Sequence, residues 1–255
     1  MQVKNTIFIG KVLLHFESLA STNDYAQKLL SKSKPVEGTV ILADYQSAGR
    51  GQIGNTWKVA PGKNLTFSLI LSPRFLPVQK QFALSQAISL AIRDFLATLC
   101  AKSIYVKWPN DIYIEDKKVC GILIQNTLSG RNIQNSIIGI GLNVNQEQFP
   151  DLLTNASSLA IETGKSFDLP FIFPTLLQFI EQKYQQLRSG QLSEIHQNYL
   201  NHLFLYQIEA FFQEPGKAPF SGKITGVNSH GQLGITHQGQ VSYYNLKEIK
   251  WVGKK

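Results

Sequence analysis

The sequence predicts an α+β protein with a mixed-sheet domain and flanking helices over residues 1–204 and a small SH3-like β-barrel over residues 205–255. In the larger part, apolar runs of strand length are interspersed with amphipathic helical segments, as in a sheet covered by helices. Near residue 205 the helical periodicity stops, and five short β-rich runs separated by glycines follow. Such closely spaced short strands favour a small barrel.

The strands are predicted from apolar or alternating runs that are bounded by turn residues. In the larger domain they lie at 13–16, 39–43, 64–71, 104–106, 112–114, 119–125 and 136–141. In the small domain they lie at 206–212, 220–227, 232–236, 240–244 and 248–252. Residues 126–135 are predicted to form a hairpin loop.

Four helices are predicted from apolar residues that recur with helical spacing, at 25–30, 82–99, 168–188 and 191–203. The first follows Ser21-Thr22-Asn23-Asp24, a dense set of N-cap candidates. The third begins with Asp168 and Pro170, which suit a helix N-terminus, and Gly190 ends it. The polar residues 151–167 are predicted to be irregular.

Composition indicates a globular protein; its charge fits one that meets anionic partners, but a merely soluble basic surface explains the charge alone more simply. Hydrophobic residues make up 43% and charged residues 16%, and the net charge is +8. The excess is spread along the chain without an arginine-rich run, which argues against dedicated nucleic-acid binding. A nucleotide or an acidic carrier domain would suit it. Two cysteines are too few for a disulfide framework, and no secretion signal or membrane-length apolar stretch is visible. We therefore expect a cytoplasmic protein.

The most informative stretch is residues 107–111, Lys-Trp-Pro-Asn-Asp, followed by a polar turn and Lys118. Lys118 stands where the next predicted strand begins, so it projects from a rigid scaffold. A lysine there can neutralise a carboxylate or a phosphate as a point charge. Lys117 is interpreted as a solvated residue of the hairpin tip.

A second anion-binding segment lies at residues 46–57, after the predicted buried strand at 39–43. Its glycines free the backbone to turn N–H groups toward an anion, and Arg50 adds a fork of donors. Trp57 offers a flat face for stacking. The segment also fits the pattern G-x-G-x-x-G, but the dinucleotide fingerprint needs a helix to begin inside it. The chain instead runs on to Pro61-Gly62, so we reject that match.

Together these segments resemble the biotin protein ligases. Gly49-Arg50-Gly51 ending in Trp57, the Lys-Trp-Pro-Asn-Asp motif with Lys118, and Gly121-Ile122-Leu123 carry the resemblance. Ser21-Thr22-Asn23 upstream and residues 139–145 downstream agree in order and spacing. Because 20 residues precede Ser21, the chain resembles the short form without a DNA-binding domain.

The resemblance implies an ATP-dependent ligase that works in two steps. The biotin carboxylate attacks the α-phosphate of MgATP and gives biotinyl-5′-AMP. A lysine of a biotin carboxyl carrier protein then takes the biotinyl group. ATP and biotin are the implied substrates, Mg²⁺ the implied metal ion, and neither step needs an enzyme nucleophile.

The resemblance also assigns roles to individual residues, with Lys118 and Arg50 as the catalytic pair. The implied biotin-binding residues are Ser21, Thr22, Asn23, Gln46, Gly49, Arg50, Gly51, Lys118 and Gly121. The implied ATP-binding residues are Arg50, Gly51, Gln52, Trp57, Asn110, Asp111, Lys118 and Asn143. The metal ligands stay open: Asp111 either helps to hold Mg²⁺ or orders the loop.

Two positions depart from the family pattern, because many relatives have arginine where this chain has Gln52 and Asn55. We expect a weaker hold on the adenylate. The alternatives are a lipoate or octanoate ligase of the same catalytic fold, and a non-catalytic nucleic-acid-binding module. The sequence leaves open the carrier protein, the role of the barrel and whether the protein forms a homodimer.

Overall fold

The computed structural model describes residues 3–52, 56–151 and 153–254. The strands of the larger domain are β1 (Leu13–Leu19), β2 (Val40–Gln46), β3 (Leu65–Leu71), β4 (Ile104–Lys107), β5 (Asp111–Ile114), β6 (Lys117–Ser129) and β7 (Asn132–Leu142). Its helices are α1 (Thr22–Lys32), α2 (Phe82–Ala97), α3 (Leu159–Thr163), α4 (Leu169–Arg188) and α5 (Leu192–Asn201), with a 3₁₀ turn at Val78–Lys80. None of these described helices is long and apolar enough to cross a membrane.

The seven strands form one mixed sheet in the order β1-β2-β3-β7-β6-β5-β4. Strands β1 and β2 pair in parallel, and the other neighbours pair antiparallel. All seven residues of β3 are buried, as expected for a central strand covered on both faces. Helices α2 and α4 pack together on one face, and α1 lies against β2, β3 and β7 on the other. The site described below lies at the N-terminus of α1.

The C-terminal region, whose separation as a domain over residues 205–255 stays a prediction, contains β8 (Glu209–Gln213), β9 (Phe220–Val227), β10 (Leu233–His237), β11 (Gln240–Tyr244) and β12 (Lys250–Lys254). They form an antiparallel sheet in the order β11-β10-β9-β8-β12. The α+β class, the flanking helices and the five C-terminal strands are therefore confirmed. Because β11 and β12 are the two edges of this sheet, its closure into an SH3-like barrel stays a prediction.

Two predictions about the connections were wrong. Residues 126–135 are not a hairpin loop, because β6 and β7 stay paired as far as Ser129 and Asn132 and turn at Gly130. Most side chains there are exposed, with Ile133 as the buried exception, so the apolar pattern did not reveal the pairing. Residues 151–167 include helix α3, which the Ser158 hydroxyl caps by accepting from the Ile161 N–H at 3.2 Å. Five residues are too few to show helical periodicity.

Glu181 on α4 fixes the N-terminal segment to the larger domain. Its buried carboxylate accepts hydrogen bonds from the backbone N–H groups of Ile7 and Phe8 at 2.6 Å and 2.8 Å. We expect Glu181→Gln to lower the free energy of unfolding by ~1–2 kcal/mol. The neutral amide makes weaker hydrogen bonds than the carboxylate, and its NH₂ group would face one of the two backbone N–H donors. Urea denaturation measures the change, with the exposed Glu194→Gln as control. Equal midpoints for Glu181→Gln and the wild type would contradict this role.

Candidate functional site

A pocket opens between the N-terminus of α1 and the face of the sheet formed by β3, β7 and β6. It encloses about 710 Å³, including the space at its open mouth. A concave site lined by both apolar surface and convergent polar groups suits a small organic ligand. The residues that line it come from α1, β2, β3, the segment after β2, and β5 to β7: Ser21, Thr22, Asn23, Gln46, Arg50, Gly51, Gln52, Thr56, Trp57, Thr66, Phe67, Asp111, Lys118, Gly121, Ile122, Leu123, Gly139, Ile140 and Gly141.

One end of the pocket is a buried network of hydroxyl and amide groups. Gln46 Oε1 accepts from the Thr22 backbone N–H at 2.7 Å and from its hydroxyl at 3.0 Å. The Ser68 hydroxyl lies 2.6 Å from Asn23 Oδ1, and Asn23 Nδ2 donates to Gln125 Oε1 at 2.9 Å. These side chains are therefore fixed before a ligand arrives. Such a network favours a ligand with a matching polar group, because any other leaves buried groups unpaired.

Thr66 adds a polar atom that has no partner within the described residues. Its Oγ1 is buried and makes no hydrogen bond there, although the residue lines the pocket. A buried hydroxyl without a partner is costly unless a ligand or water satisfies it. Thr66 is therefore a ligand-contact candidate that the sequence analysis missed. The sequence pattern around Thr66 gives little indication of this role, since a threonine in an apolar strand is ordinarily a packing residue.

The floor of the pocket is made of glycines. Gly121 on β6 stands opposite Gly141 on β7, and Gly139 lies two residues earlier on the same face as Gly141. The Trp57 indole lies directly on Gly141, where any Cβ would collide with the ring. A sheet surface without side chains lets a flat ring approach the backbone closely. The alternating sequence Gly139-Ile140-Gly141 indicates that both glycines face the same side of the strand, but the sequence analysis did not include Gly139 among the site residues.

The other end of the pocket carries charge. Lys118 Nζ pairs with Asp111 Oδ2 at 2.7 Å and lies 5.8 Å from the centre of the Trp57 ring. Arg50 Nη1 pairs with Asp24 Oδ1 at 2.6 Å at the start of α1. Both pairs are partly exposed, so each cation can exchange its carboxylate for an anionic ligand at modest cost.

A β-bulge directs Lys118 into the pocket. Ile112 pairs with Cys120 while Tyr113 pairs with Lys118, which leaves Val119 as an extra residue in β6. In a regular strand, residues three apart point to opposite faces, but here Lys118 and Gly121 share the pocket face. The Lys118 backbone is also held from outside β6, because its N–H donates to the Asn155 carbonyl at 2.7 Å.

Eleven of the predicted site residues line this pocket, and Gly49, Asn110 and Asn143 do not. Gly49 accepts from the Trp57 N–H at 2.9 Å and closes the base of the segment. The Asn110 amide donates to the Ile122 carbonyl, and its Oδ1 accepts from Gln52 Nε2 at 2.6 Å. Asn143 Nδ2 donates to the Ser157 carbonyl at 3.0 Å. Their roles in ligand binding stay predictions.

Two other expectations concern the same region. Gly54 and Asn55 of the predicted anion-binding segment lie outside the described residues. Cys120, behind the pocket, is buried, and burial raises the pKa of its thiol far above the usual range. A thiol in that state is not a nucleophile, which agrees with its assignment as a core residue.

The fold and the pocket define a class of protein, one with a pocket that carries a hydroxyl–amide network at one end and two cations at the other. The comparisons with known proteins identify the family. The family model described as "Biotin/lipoate A/B protein ligase family" matches residues 15–143, which is half of the chain. The chain belongs to this family.

The relatives and solved structures agree. The chain is 35% identical over 183 residues to "Bifunctional ligase/repressor BirA" of Bacillus subtilis, covering 71% of this chain and 56% of that protein. It is 35% identical over 129 residues to "Biotin--[acetyl-CoA-carboxylase] ligase" of Paracoccus denitrificans, covering 49% and 53%. The chain thus spans about half the length of these curated relatives. The structure "Biotin protein ligase from Aquifex aeolicus in complex with biotin and ATP" aligns with a TM-score of 0.79 and 25% identity, over 96% of this chain and 100% of that one.

Proposed function

We propose that this protein is an ATP-dependent ligase that activates biotin as biotinyl-5′-AMP and transfers the biotinyl group to a lysine of a biotin carboxyl carrier protein. The observation that carries the proposal is one pocket with a hydroxyl–amide network at one end and Lys118 with Arg50 at the other. Family membership supports it, as do the ligase names of the relatives and the related structure with biotin and ATP.

The polar end and the floor would select biotin. Hydroxyl and amide groups would face the polar ring head of biotin; they belong to Ser21, Thr22, Asn23 and Gln46. Thr66 Oγ1, which has no hydrogen-bond partner among the described residues, would bond to the ligand as well. Gly121 and Gly141 leave space for the body of the ligand, which would have to share the floor with Trp57 or displace its indole. Because the network is already formed, little ordering of side chains opposes binding.

The cationic end would serve the first step of the reaction. A biotin carboxylate oxygen attacks the α-phosphorus, the bond from that phosphorus to the oxygen bridging the β-phosphate breaks, and pyrophosphate leaves. Lys118 and Arg50 would hold the two anionic groups together and stabilise the charge that builds on the α-phosphate oxygens. Catalysis would come from positioning and electrostatics, without a covalent enzyme intermediate.

The second step would use the same cations. The neutral amine of the carrier lysine attacks the carbonyl carbon of the mixed anhydride, the bond from that carbon to the phosphate oxygen breaks, AMP leaves, and the nitrogen loses a proton to solvent. Lys118 would stabilise the departing phosphate. Both steps would therefore depend on the bulge that directs Lys118 into the pocket.

The donors in the pocket fit a Mg²⁺ ion that is brought by the nucleotide. The described residues contain no group of three His, Cys, Asp or Glu side chains that could hold a metal by themselves. Asp111 is the acidic residue among those that line the pocket. Mg²⁺ in nucleotide sites is commonly held by one or two carboxylates with phosphate oxygens. Asp111 would supply that carboxylate, and the ion would neutralise phosphate charge. A cytoplasmic location, a homodimer and the lack of a DNA partner stay predictions.

The direct test is incubation of the purified protein with MgATP, biotin and a biotin carrier domain, followed by a streptavidin blot. We expect labelling that requires all three, and pyrophosphate exchange that depends on biotin. Lipoate and octanoate are the matched comparison, because the family includes lipoate ligases. Exchange that depends on lipoate or octanoate but not on biotin would replace the proposal with the alternative. Binding to nucleic acid that weakens steeply with salt, without exchange, would favour the non-catalytic alternative.

A cation at position 52 is expected to slow release of the adenylate. Gln52 lines the pocket as a neutral amide and donates to Asn110 Oδ1 at 2.6 Å. Charge-assisted hydrogen bonds are roughly twice as strong as neutral ones, so Gln52→Arg should add ~1–2 kcal/mol and slow dissociation about tenfold. Asn55, for which we expect a similar effect, lies outside the described residues.

The measurement is dissociation of labelled biotinyl-adenylate from the wild type and Gln52→Arg, together with stray labelling of bystander lysines. The exposed Gln240→Arg adds the same charge on β11 and serves as the control. An unchanged or faster dissociation would mean that the backbone and Arg50 hold the adenylate, without a contribution from position 52.

A further inference from the structure

Two adjacent residues at the end of β4, Lys107 and Trp108, connect the pocket to the C-terminal domain. Lys107 Nζ lies 5.5 Å from the centre of the Trp251 ring on β12. Trp108 Nε1 donates to the Gly231 carbonyl, also in the C-terminal domain, at 2.8 Å. Three residues after Trp108 stands Asp111, which lines the pocket. One short segment therefore contacts both the C-terminal domain and the charged end of the site.

Lys107 is enclosed by aromatic rings and a hydroxyl group. Its Nζ donates to the Tyr113 hydroxyl at 3.1 Å and lies 4.8 Å from the centre of that ring. Burial lowers the pKa of Lys107, the charge of Asp111 opposes this change, and the charge of Lys118 adds to it. The ammonium group is thus partly desolvated and close enough to feel both members of the Asp111–Lys118 pair.

The position of Lys107 matters when Lys118 binds an anion. Lys107 stands directly opposite Asp111 in the β4–β5 ladder. Asp111 Oδ2 pairs with Lys118 Nζ at 2.7 Å. When Lys118 turns to a carboxylate or a phosphate, Asp111 shares or loses its partner. A second cation beside Asp111 lowers the electrostatic cost of that exchange.

We propose that Lys107 is a positioning residue that stabilises Asp111 while Lys118 engages the nucleotide phosphate, and that the C-terminal domain supports the reaction through Trp251, which holds Lys107 in place. This inference rests on the proposed ligase function and assigns the C-terminal domain a part in it. The occupant of the charged end is the anionic phosphate of ATP.

The test is the kinetics of biotin-dependent pyrophosphate exchange for Lys107→Met and Lys107→Arg. We expect Lys107→Met to raise the KM for ATP by about tenfold with a smaller fall in kcat, as removal of a ground-state contribution predicts. Lys107→Arg keeps the charge and should stay within about threefold of the wild type. Lys250→Met, an exposed lysine beside Trp251 on β12, is the matched control and should behave as the wild type.

Double variants separate this role from a merely structural one. In an Asp111→Asn background, which also lacks the carboxylate proposed for Mg²⁺, Lys107→Met should have little further effect on the affinity for ATP measured by equilibrium binding, because the charge that it stabilises is gone. Trp251→Leu should raise the KM for ATP by about threefold in the wild type and leave it unchanged in Lys107→Met, whereas Trp251→Phe keeps a ring and should be mild. Thermal unfolding identifies any variant that fails to fold.

The outcomes are distinct. An active wild type with an unaffected Lys107→Met would overturn the inference alone. If Lys107→Met weakens ATP binding equally with Asp111 and with Asn at position 111, Lys107 does not act through Asp111. If Trp251→Leu still weakens ATP binding in the Lys107→Met variant, Trp251 does not act through Lys107. Either result would overturn the inference. A wild type without biotin-dependent exchange would overturn the proposed function, and this inference with it.

Discussion

Lys118→Ala is expected to remove nearly all biotin-dependent pyrophosphate exchange while the protein stays folded. Lys118 is the cation at the charged end whose backbone is fixed on a strand, and its Nζ lies beside the glycine floor. Loss of one partner of a close charge pair typically costs ~2–5 kcal/mol, which corresponds to a fall of about 30-fold or more. Stability should change little, because the Lys118–Asp111 pair is partly exposed to solvent.

Lys117→Ala is the matched control for this prediction. Lys117 is the preceding residue of β6, and within the described part of the chain its Nζ donates to the Thr154 carbonyl at 3.4 Å. It does not line the pocket. We therefore expect exchange rates close to those of the wild type. Equal exchange rates for the wild type and Lys118→Ala, both folded by circular dichroism, would remove Lys118 from the reaction.

The orientation of Lys118 shows where prediction from the sequence ends. The residue was singled out by its motif and by its place at the start of a strand. Strand alternation alone would have put Lys118 and Gly121 on opposite faces. The extra residue Val119 brings them together, and it depends on pairing with β5 and on the hydrogen bond to Asn155. Contacts between distant segments of this kind leave no local pattern.

The same distinction explains which other predictions hold. Strands such as β3 and helices such as α2 were predictable, because burial requires apolar residues at regular spacing. The assignment of Asn110 and Asn143 to the nucleotide stays a prediction: their amide N–H groups donate to the carbonyls of Ile122 and Ser157, and Asn143 Oδ1 has no partner among the described residues. The residue type indicates a capacity for hydrogen bonds, and the fold decides whether a ligand or the backbone receives them.

The glycine floor gives a prediction in which adding one methyl group disables the polar end of the pocket. Gly139 on β7 faces Asn23, and a Cβ at this position would lie 2.9 Å from Asn23 Cγ. Asn23 cannot yield freely, because Ser68 Oγ lies 2.6 Å from its Oδ1 and its Nδ2 donates to Gln125 at 2.9 Å. Gly139→Ala must therefore break hydrogen bonds that hold the network in place.

We expect Gly139→Ala to weaken biotin binding by about 10- to 100-fold, or ~1.5–3 kcal/mol, as the loss of one or two buried hydrogen bonds predicts. Isothermal titration with biotin alone measures this effect. Gly253→Ala on β12 is the matched control, because no atom of the described residues lies within 4 Å of the added Cβ. In an Asn23→Ala background there is no amide to displace, so Gly139→Ala should then add little. Undiminished binding of biotin by Gly139→Ala would show that Asn23 does not contact the ligand head and that the polar end of the pocket serves the fold instead.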